Sequence, residues 1–169
     1  LKEKARVMYN RVKEGGGVKI LFVYESVHHG NTEKIVHAMS GECGGAVLKA
    51  REFHPSLSGD YECMGFGSGI FFGKFHSAVE RAVGLLPPGE GRPVFVFSTS
   101  GRGIKRYNRR LTASLEEKGY HLLGDFSCKG YDTYGPLKWL GGIARGRPGE
   151  QEISQARQFI RMVMGRRIL

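Results

Sequence analysis

This chain is poor in the residues that staple a fold or hold a structural metal. Its three cysteines, Cys43, Cys63 and Cys128, are scattered through 169 residues with no Cys-x-x-Cys pair. That excludes a disulfide framework and a cysteine zinc site, and it reads as reduced thiols in a reducing compartment. Cys63 and Cys128 fall in strand-like runs, where a thiol acts as a small buried hydrophobe. The six histidines form no His-x-x-x-His spacing, and the side chains of adjacent His28 and His29 diverge, so no metal site is expected. No apolar run approaches the ~18–20 residues that cross a bilayer. The opening LKEKARVMYNRVKE alternates charge with single apolar groups and has no signal-peptide core. A cytoplasmic protein without membrane association is expected.

Acidic residues are also scarce: 16 Asp and Glu face 26 Lys and Arg, giving a net charge of +10. Such an excess suits an acidic partner, an anionic ligand or nucleic acid, and does not by itself choose among them. Apolar and charged contents of 40% and 25% are those of an ordinary globular domain.

Residues 1–17 read as a basic helical arm ended by Gly15, Gly16 and Gly17, and residues 18–169 as one domain. Within that domain strand-like apolar runs alternate with helical patterns. Strands are predicted at 18–24, 46–53, 61–66, 93–97 and 120–127. Helices are predicted at 32–40, 74–86, 105–118 and 150–164. Several of the strands are continuously apolar, which predicts a parallel sheet covered on both faces. One segment breaks the rhythm: residues 129–149 hold six Gly, two Pro and the only Trp, Trp139. A loop of that length is uncommon in a compact domain and often functional.

Ligands of an open parallel sheet bind beyond the carboxyl ends of its strands. After the first strand comes ESVHHGNT, from Glu25 to Thr32. Unpaired N–H groups at the start of the next helix suit a phosphate there, with Ser26, Asn31 and Thr32 adding polar groups and Gly30 a tight turn. The same residues also suit an ordinary strand-to-helix turn with Asn31 or Thr32 as N-cap. The Walker spacing is absent, since Gly69-Ile70-Phe71-Phe72-Gly73-Lys74-Phe75 is one residue short and lacks the magnesium-binding hydroxyl. No Gly-x-Gly-x-x-Gly opens the first helix. The segment from Gly67 to Gly73 sets aromatic residues among glycines, as a flat ligand would require. Ser98-Thr99-Ser100-Gly101 adds small donors after the fourth strand.

Taken together these segments resemble the flavodoxin family. YESVHHGNT is similar to its phosphate loop, GSGIFFGKFH to the loop covering the isoalloxazine, and FSTSG to the second ring-binding loop. The resemblance spans residues 18–165. It implies a flavodoxin-like three-layer α/β/α sandwich with a five-stranded parallel sheet in the order 2-1-3-4-5, binding FMN noncovalently. Ser26, His28, His29, Gly30, Asn31 and Thr32 would then meet the phosphate. Gly69, Ile70, Phe71, Phe72 and Gly73 would flank the ring, with Ser98, Thr99, Ser100 and Gly101 on its other edge. Two departures stand out: three residues, Val27, His28 and His29, separate the hydroxyl from Gly-Asn-Thr where the family usually has two, and the chain is basic where many flavodoxins are acidic.

The implied function is electron transfer through FMN, with no residue named as catalytic. The alternative on the same fold is an FMN-dependent NAD(P)H or quinone reductase, with Trp139 in the long loop over a substrate. A flavin-free nucleic-acid-binding module is the reading from another class, but no nucleic-acid signature accompanies the charge. Arg102, Lys105, Arg106, Arg109 and Arg110 put five cations into nine residues, joined by Lys138, Arg145 and Arg147. They suit an acidic redox partner or the phosphates of NAD(P)H, or else a solvated helix face. His76 reads as a helix-start residue. Tyr131 and Tyr134 either stack near the ring or anchor the long loop.

Overall fold

In the computed structural model the described residues are 18–27, 29–133 and 142–166. The basic arm, His28, Tyr134, Lys138 and Trp139 lie outside them. The elements are β1 (Ile20–Glu25), α1 (Asn31–Cys43), β2 (Ala46–Lys49), β3 (Cys63–Phe71), β4 (Lys74–Phe75), α2 (Ser77–Gly84), β5 (Pro93–Ser100), α3 (Arg109–Glu117), β6 (His121–Lys129) and α4 (Glu150–Arg166). Short 3-10 turns at Ala50–Glu52, Pro55–Asp60 and Lys105–Asn108 fill the connections. The sheet order is β2-β1-β3-β5-β6 with every neighbour parallel, and β4 folds back antiparallel on β3. This is the order the sequence implied, with one small antiparallel strand added.

Strand alternation sends side chains to two separate cores. Leu21, Val23, Met64, Phe66, Val94 and Val96 meet Val79 and Val83 of α2 and Leu111 and Leu115 of α3. On the opposite face Ile20, Phe22, Tyr24, Phe95 and Phe97 meet Ile35, Val36 and Met39 of α1 with Ala156, Phe159, Ile160 and Val163 of α4. The result is three layers, helix on sheet on helix. Among the described residues no helix is long and apolar enough to cross a membrane.

Three expectations need correction. The glycine-rich stretch after residue 66 is strand, not loop: β3 runs on to Phe71. Its glycines are sockets. In the register Gly65 faces Phe95 and Gly67 faces Phe97, and a Cβ at either glycine would lie 2.2 Å from the facing ring. Composition alone suggested a loop, but a missing side chain is what lets a neighbouring ring lie over a strand.

Next, the helix expected over 74–86 begins only at Ser77, because Lys74 and Phe75 close a hairpin whose turn is Phe72-Gly73, both at positive φ (49° and 78°). Two positive-φ residues make the turn that matches strand twist. Lastly, the helix expected over 105–118 starts as a 3-10 turn, and Arg102 precedes it in a loop rather than sharing its face. Smaller shifts affect the second strand, which stops at Lys49, and the fourth and fifth, which extend to Ser100 and Lys129.

Cys63 and Cys128 are buried in β3 and β6 as expected. Burial pushes the Cys128 thiol up to about 12, and the half-buried Cys43 thiol up to about 11. Both stay protonated and unreactive at neutral pH. Alkylation of the native protein at pH 8 should therefore leave both thiols unmodified by mass spectrometry, and denaturant should expose them. Gly67→Ala should lower stability by about 1–3 kcal/mol through overpacking against Phe97, measured as a reduced urea midpoint.

Candidate functional site

Strand order reverses between β1 and β3, and at the carboxyl ends of these strands a cavity of about 480 Å³ opens. That lies within the usual range of small-molecule sites, ~300–1,000 Å³. Four segments build it: Ser26, Val27, Asn31 and Thr32 after β1, Gly69 to Gly73 from the β3–β4 hairpin, Thr99 to Arg102 at the end of β5, and Gly130 to Asp132 after β6. Tyr107 and Ile143 complete the wall.

The floor is the start of α1. Its N-cap is Gly30 in the left-handed region, with no side chain capping the helix, so neither Asn31 nor Thr32 serves as N-cap. Asn31 and Thr32 are the first helical residues, and the N–H groups of this turn carry partial positive charge toward the cavity. Thr32 and Thr99 join hydroxyls at 2.8 Å beneath the floor, tying the β1 and β5 connections together. Two buried polar atoms, Ser26 Oγ and Asn31 Oδ1, have no hydrogen-bond partner among the described residues, and both residues line the cavity. Buried polar groups are normally satisfied, so such a pair marks a place where a ligand supplies the bonds.

Other polar atoms of this loop are engaged within the protein. Asn31 Nδ2 donates to the Tyr131 carbonyl at 2.7 Å, a contact that requires glycine next door, since a Cβ on Gly130 would come within 2.9 Å of the Asn31 amide. His29 stacks on Tyr131 with ring centroids 4.4 Å apart and shares a 2.9 Å hydrogen bond with Thr133 Oγ1. The phosphate-loop candidate is thus clasped to the connection after β6.

The hairpin forms the opposite rim. The Ser68 hydroxyl donates to the Gly69 carbonyl at 2.7 Å and accepts the His76 N–H at 2.9 Å. His76 Nδ1 in turn accepts the Ala78 N–H and caps α2, as expected of a helix-start residue. Phe71 packs edge-on against His76, with centroids 5.9 Å apart. Phe72 at the hairpin tip is 83% exposed and Val27 across the mouth 55% exposed. Of the two phenylalanines, Phe72 is the more exposed.

Of the expected site residues, the cavity gathers Ser26, Asn31, Thr32, Gly69, Ile70, Phe71, Phe72, Gly73, Thr99, Ser100 and Gly101. His29 and Gly30 stand behind it as clasp and cap. Ser98 is buried away from it, donating to Asn108 Oδ1 at 2.7 Å and sharing a 2.6 Å bond with Ser127. Sequence reasoning missed Tyr107, Gly130, Asp132 and Ile143 as lining residues. Tyr107 was masked by the Arg-rich run around it. Ile143 reaches the wall through an antiparallel bridge to Asp132, a pairing no local pattern announces. Among the described residues no group of three or more His, Cys, Asp or Glu is placed to hold a metal ion.

An open parallel α/β sandwich with an anion-suited loop at its switch point and aromatic residues on the rim defines a flavodoxin-like fold. Solved structures agree. A flavodoxin from the domain Archaea aligns with a TM-score of 0.65 at 14% identity, covering 88% of this chain and 97% of that one. Flavodoxin 2 from Bacillus cereus aligns at 0.62 and 15% identity, covering 88% and 99%. The rubredoxin oxygen:oxidoreductase of Desulfovibrio gigas aligns at 0.67 and 14% identity over 88% of this chain but only 35% of that one. No family model matches the sequence. The uncharacterized protein MJ0298 of Methanocaldococcus jannaschii is 34% identical over 149 residues, 87% of this chain and 99% of that protein. The chain belongs to the family of that archaeal protein.

Beside the cavity, Glu33 in the first turn of α1 accepts from the Tyr24 hydroxyl at 2.6 Å and from Lys49 Nζ at 2.9 Å. The Tyr24 bond, then Lys49, holds the Glu33 carboxyl below its usual range. A carboxyl depressed on folding stabilises the native state above its unfolded pKa, and that share is lost as pH falls through the folded pKa. Glu33→Gln should therefore flatten the acid limb of the melting temperature between pH 6 and pH 3; an unchanged limb would remove Glu33 from this role.

Proposed function

We propose that the protein binds FMN noncovalently and works as an electron-transfer flavoprotein of the cytoplasm. The observation that carries this reading is the pair of unpartnered buried atoms, Ser26 Oγ and Asn31 Oδ1, on the floor of a cavity at the uncapped start of α1. The residues fit the group. Ser26 and the N–H groups around Gly30, Asn31 and Thr32 suit a phosphate, with His28 and His29 in the same loop. Asn31 Oδ1, an acceptor, suits a hydroxyl of the ligand's polyol chain. Gly69 leaves room for a flat ring, with Ile70, Phe71, Phe72 and Gly73 on one edge and Thr99, Ser100 and Gly101 on the other, where Gly101 makes way for the Ile143 side chain. Ser98 holds the strand beneath rather than the ring.

Bound flavin would supply the redox chemistry, accepting and releasing electrons. The protein's own work is to bind it, stack against it and set the charge around it. No Lys enters the described part of the loop, consistent with a monophosphate that is held and never cleaved. An acidic redox protein or NAD(P)H is the expected partner. A second reading, an FMN-dependent NAD(P)H or quinone reductase, draws support from the open mouth between Val27 and Phe72. Steady-state oxidation of NAD(P)H by the protein alone separates it from a carrier.

The purified protein should be yellow and release about one FMN per chain on heating. Ser26→Ala should weaken FMN binding about tenfold or more, as loss of a hydrogen bond to a charged group does. Riboflavin binding should barely change, as read by flavin fluorescence titration. Equal losses for both ligands would mean that Ser26 does not meet the phosphate, and a colourless protein that refuses FMN would overturn the reading.

A further inference from the structure

The cations of this chain are not spread evenly with respect to their partners. At the carboxyl end of the sheet most carboxylates are taken: Glu25 by Arg51, Glu33 by Lys49, Asp125 by Lys105, Glu80 by Arg110 and Glu152 by Arg147. Asp132 sits in the cavity wall itself. What is left around the mouth is positive. Lys74, Arg102, Arg106, Arg109 and Lys129 are exposed, and among the described residues none of the five meets a carboxylate.

These five belong to one rim. Arg102 lines the cavity beside Tyr107. The Tyr107 ring reaches the hairpin turn, 3.8 Å from where a Gly73 Cβ would stand, next to Lys74. Lys129 lies against the same β5 connection, its Cγ 3.2 Å from where a Gly103 Cβ would stand. Arg106 and Arg109 continue the rim into α3. The exposed apolar side chains Val27 and Phe72 line the same opening, from the β1 connection and the β3–β4 hairpin.

An apolar centre inside a charged rim is the anatomy of a protein–protein contact rather than of a small-ligand site. A nucleic-acid duplex held through its phosphates would need cations alone, and a lone dinucleotide would leave Phe72 in water. We propose that the cavity rim is the docking surface of an acidic protein electron carrier, with Val27 and Phe72 as its apolar centre and Lys74, Arg102, Arg106, Arg109 and Lys129 as its cationic ring. This rests on the flavin reading of the cavity. Each encounter moves one electron from the carrier's reduced metal centre, which is oxidised, to the bound flavin, which is reduced. Two encounters, with protons drawn from water, complete the flavin's two-electron reduction. Opposite charges steer such encounters, so their rate depends on ionic strength.

The test pairs stopped-flow reduction of the FMN-loaded full chain by a reduced acidic [2Fe–2S] ferredoxin with calorimetric binding of the oxidised ferredoxin to flavin-free chain. The variants are Arg106→Glu and Arg109→Glu, made singly and together, neither of which lines the cavity, and Arg157→Glu on α4, which matches either single rim variant in net charge. Each rim variant should slow the reduction at low salt, the pair together about tenfold or more, and weaken ferredoxin binding in parallel, while Arg157→Glu changes little. The unaltered protein should lose most of that advantage as ionic strength rises from about 20 mM to about 500 mM. Rates and affinities indifferent to the rim charges would overturn the docking surface, as would tighter binding of a short DNA duplex than of ferredoxin at equal salt. If the chain holds no FMN but binds ferredoxin through the rim, the docking surface stands and the flavin reading falls.

Discussion

The contact on which the rest of this molecule depends is the seating of two phenylalanine rings on two glycines. β3 is the central strand of the sheet, and Phe95 and Phe97 of β5 lie over Gly65 and Gly67 within it. The rings then meet Phe22 at 5.4 and 6.2 Å, and Phe95 meets Phe159 of α4 at 5.9 Å. One helical layer is thereby fixed to the sheet through edge-on aromatic contacts, which favour defined angles over loose apolar association. The registration of β3 against β5 also decides where both strands end. Their ends are two of the four walls of the cavity, so the geometry of the site is set some distance beneath it.

Much of this was legible in the residues. Continuous apolar runs at 18–24 and 93–97 announced a sheet covered on both faces, and the order of strands followed from the resemblance that the loops carry. Uncapped ESVHHGNT, with Ser26 and Asn31, pointed at the right end of β1. The failures share a physical cause. Gly67 was read as loop because composition reports local freedom, whereas its role, like that of Gly65 within the predicted strand, is to receive a ring from β5. Ser98 was read together with Thr99 and Ser100, which line the cavity; its own hydroxyl is engaged beneath by Asn108 and Ser127. Tyr107, Gly130 and Ile143 enter the site through long-range packing that no window of sequence contains.

Charge completes the picture. Flavodoxin-like folds place four connections around one opening, and here those connections carry an excess of unpaired cations while nearby carboxylates are engaged in ion pairs. The pairs of Glu33, Asp125 and Glu80 are open to solvent and contribute little to stability, whereas Glu25 and Glu152 are buried and depend on their arginines for a charged partner. The shared effect of all five pairs is on the field left over: by neutralising Lys49, Arg51, Lys105, Arg110 and Arg147 in place, they leave a smaller and better-defined set of charges facing outward around the mouth.

The clasp between the two sides of the cavity sets the order in which the molecule can become competent. Asn31 bonds to Tyr131 across 100 residues of chain and His29 to Thr133 across 104. Contacts of such sequence separation form only after the loop between them has closed. On the ribosome, β1 and α1 emerge early, yet the opening beside them has three sides until β6 is made and laid against β5. A nascent chain therefore carries an exposed Ser26 and Asn31 from the emergence of β1 until that of β6, and the cavity is finished by the last strand of the sheet.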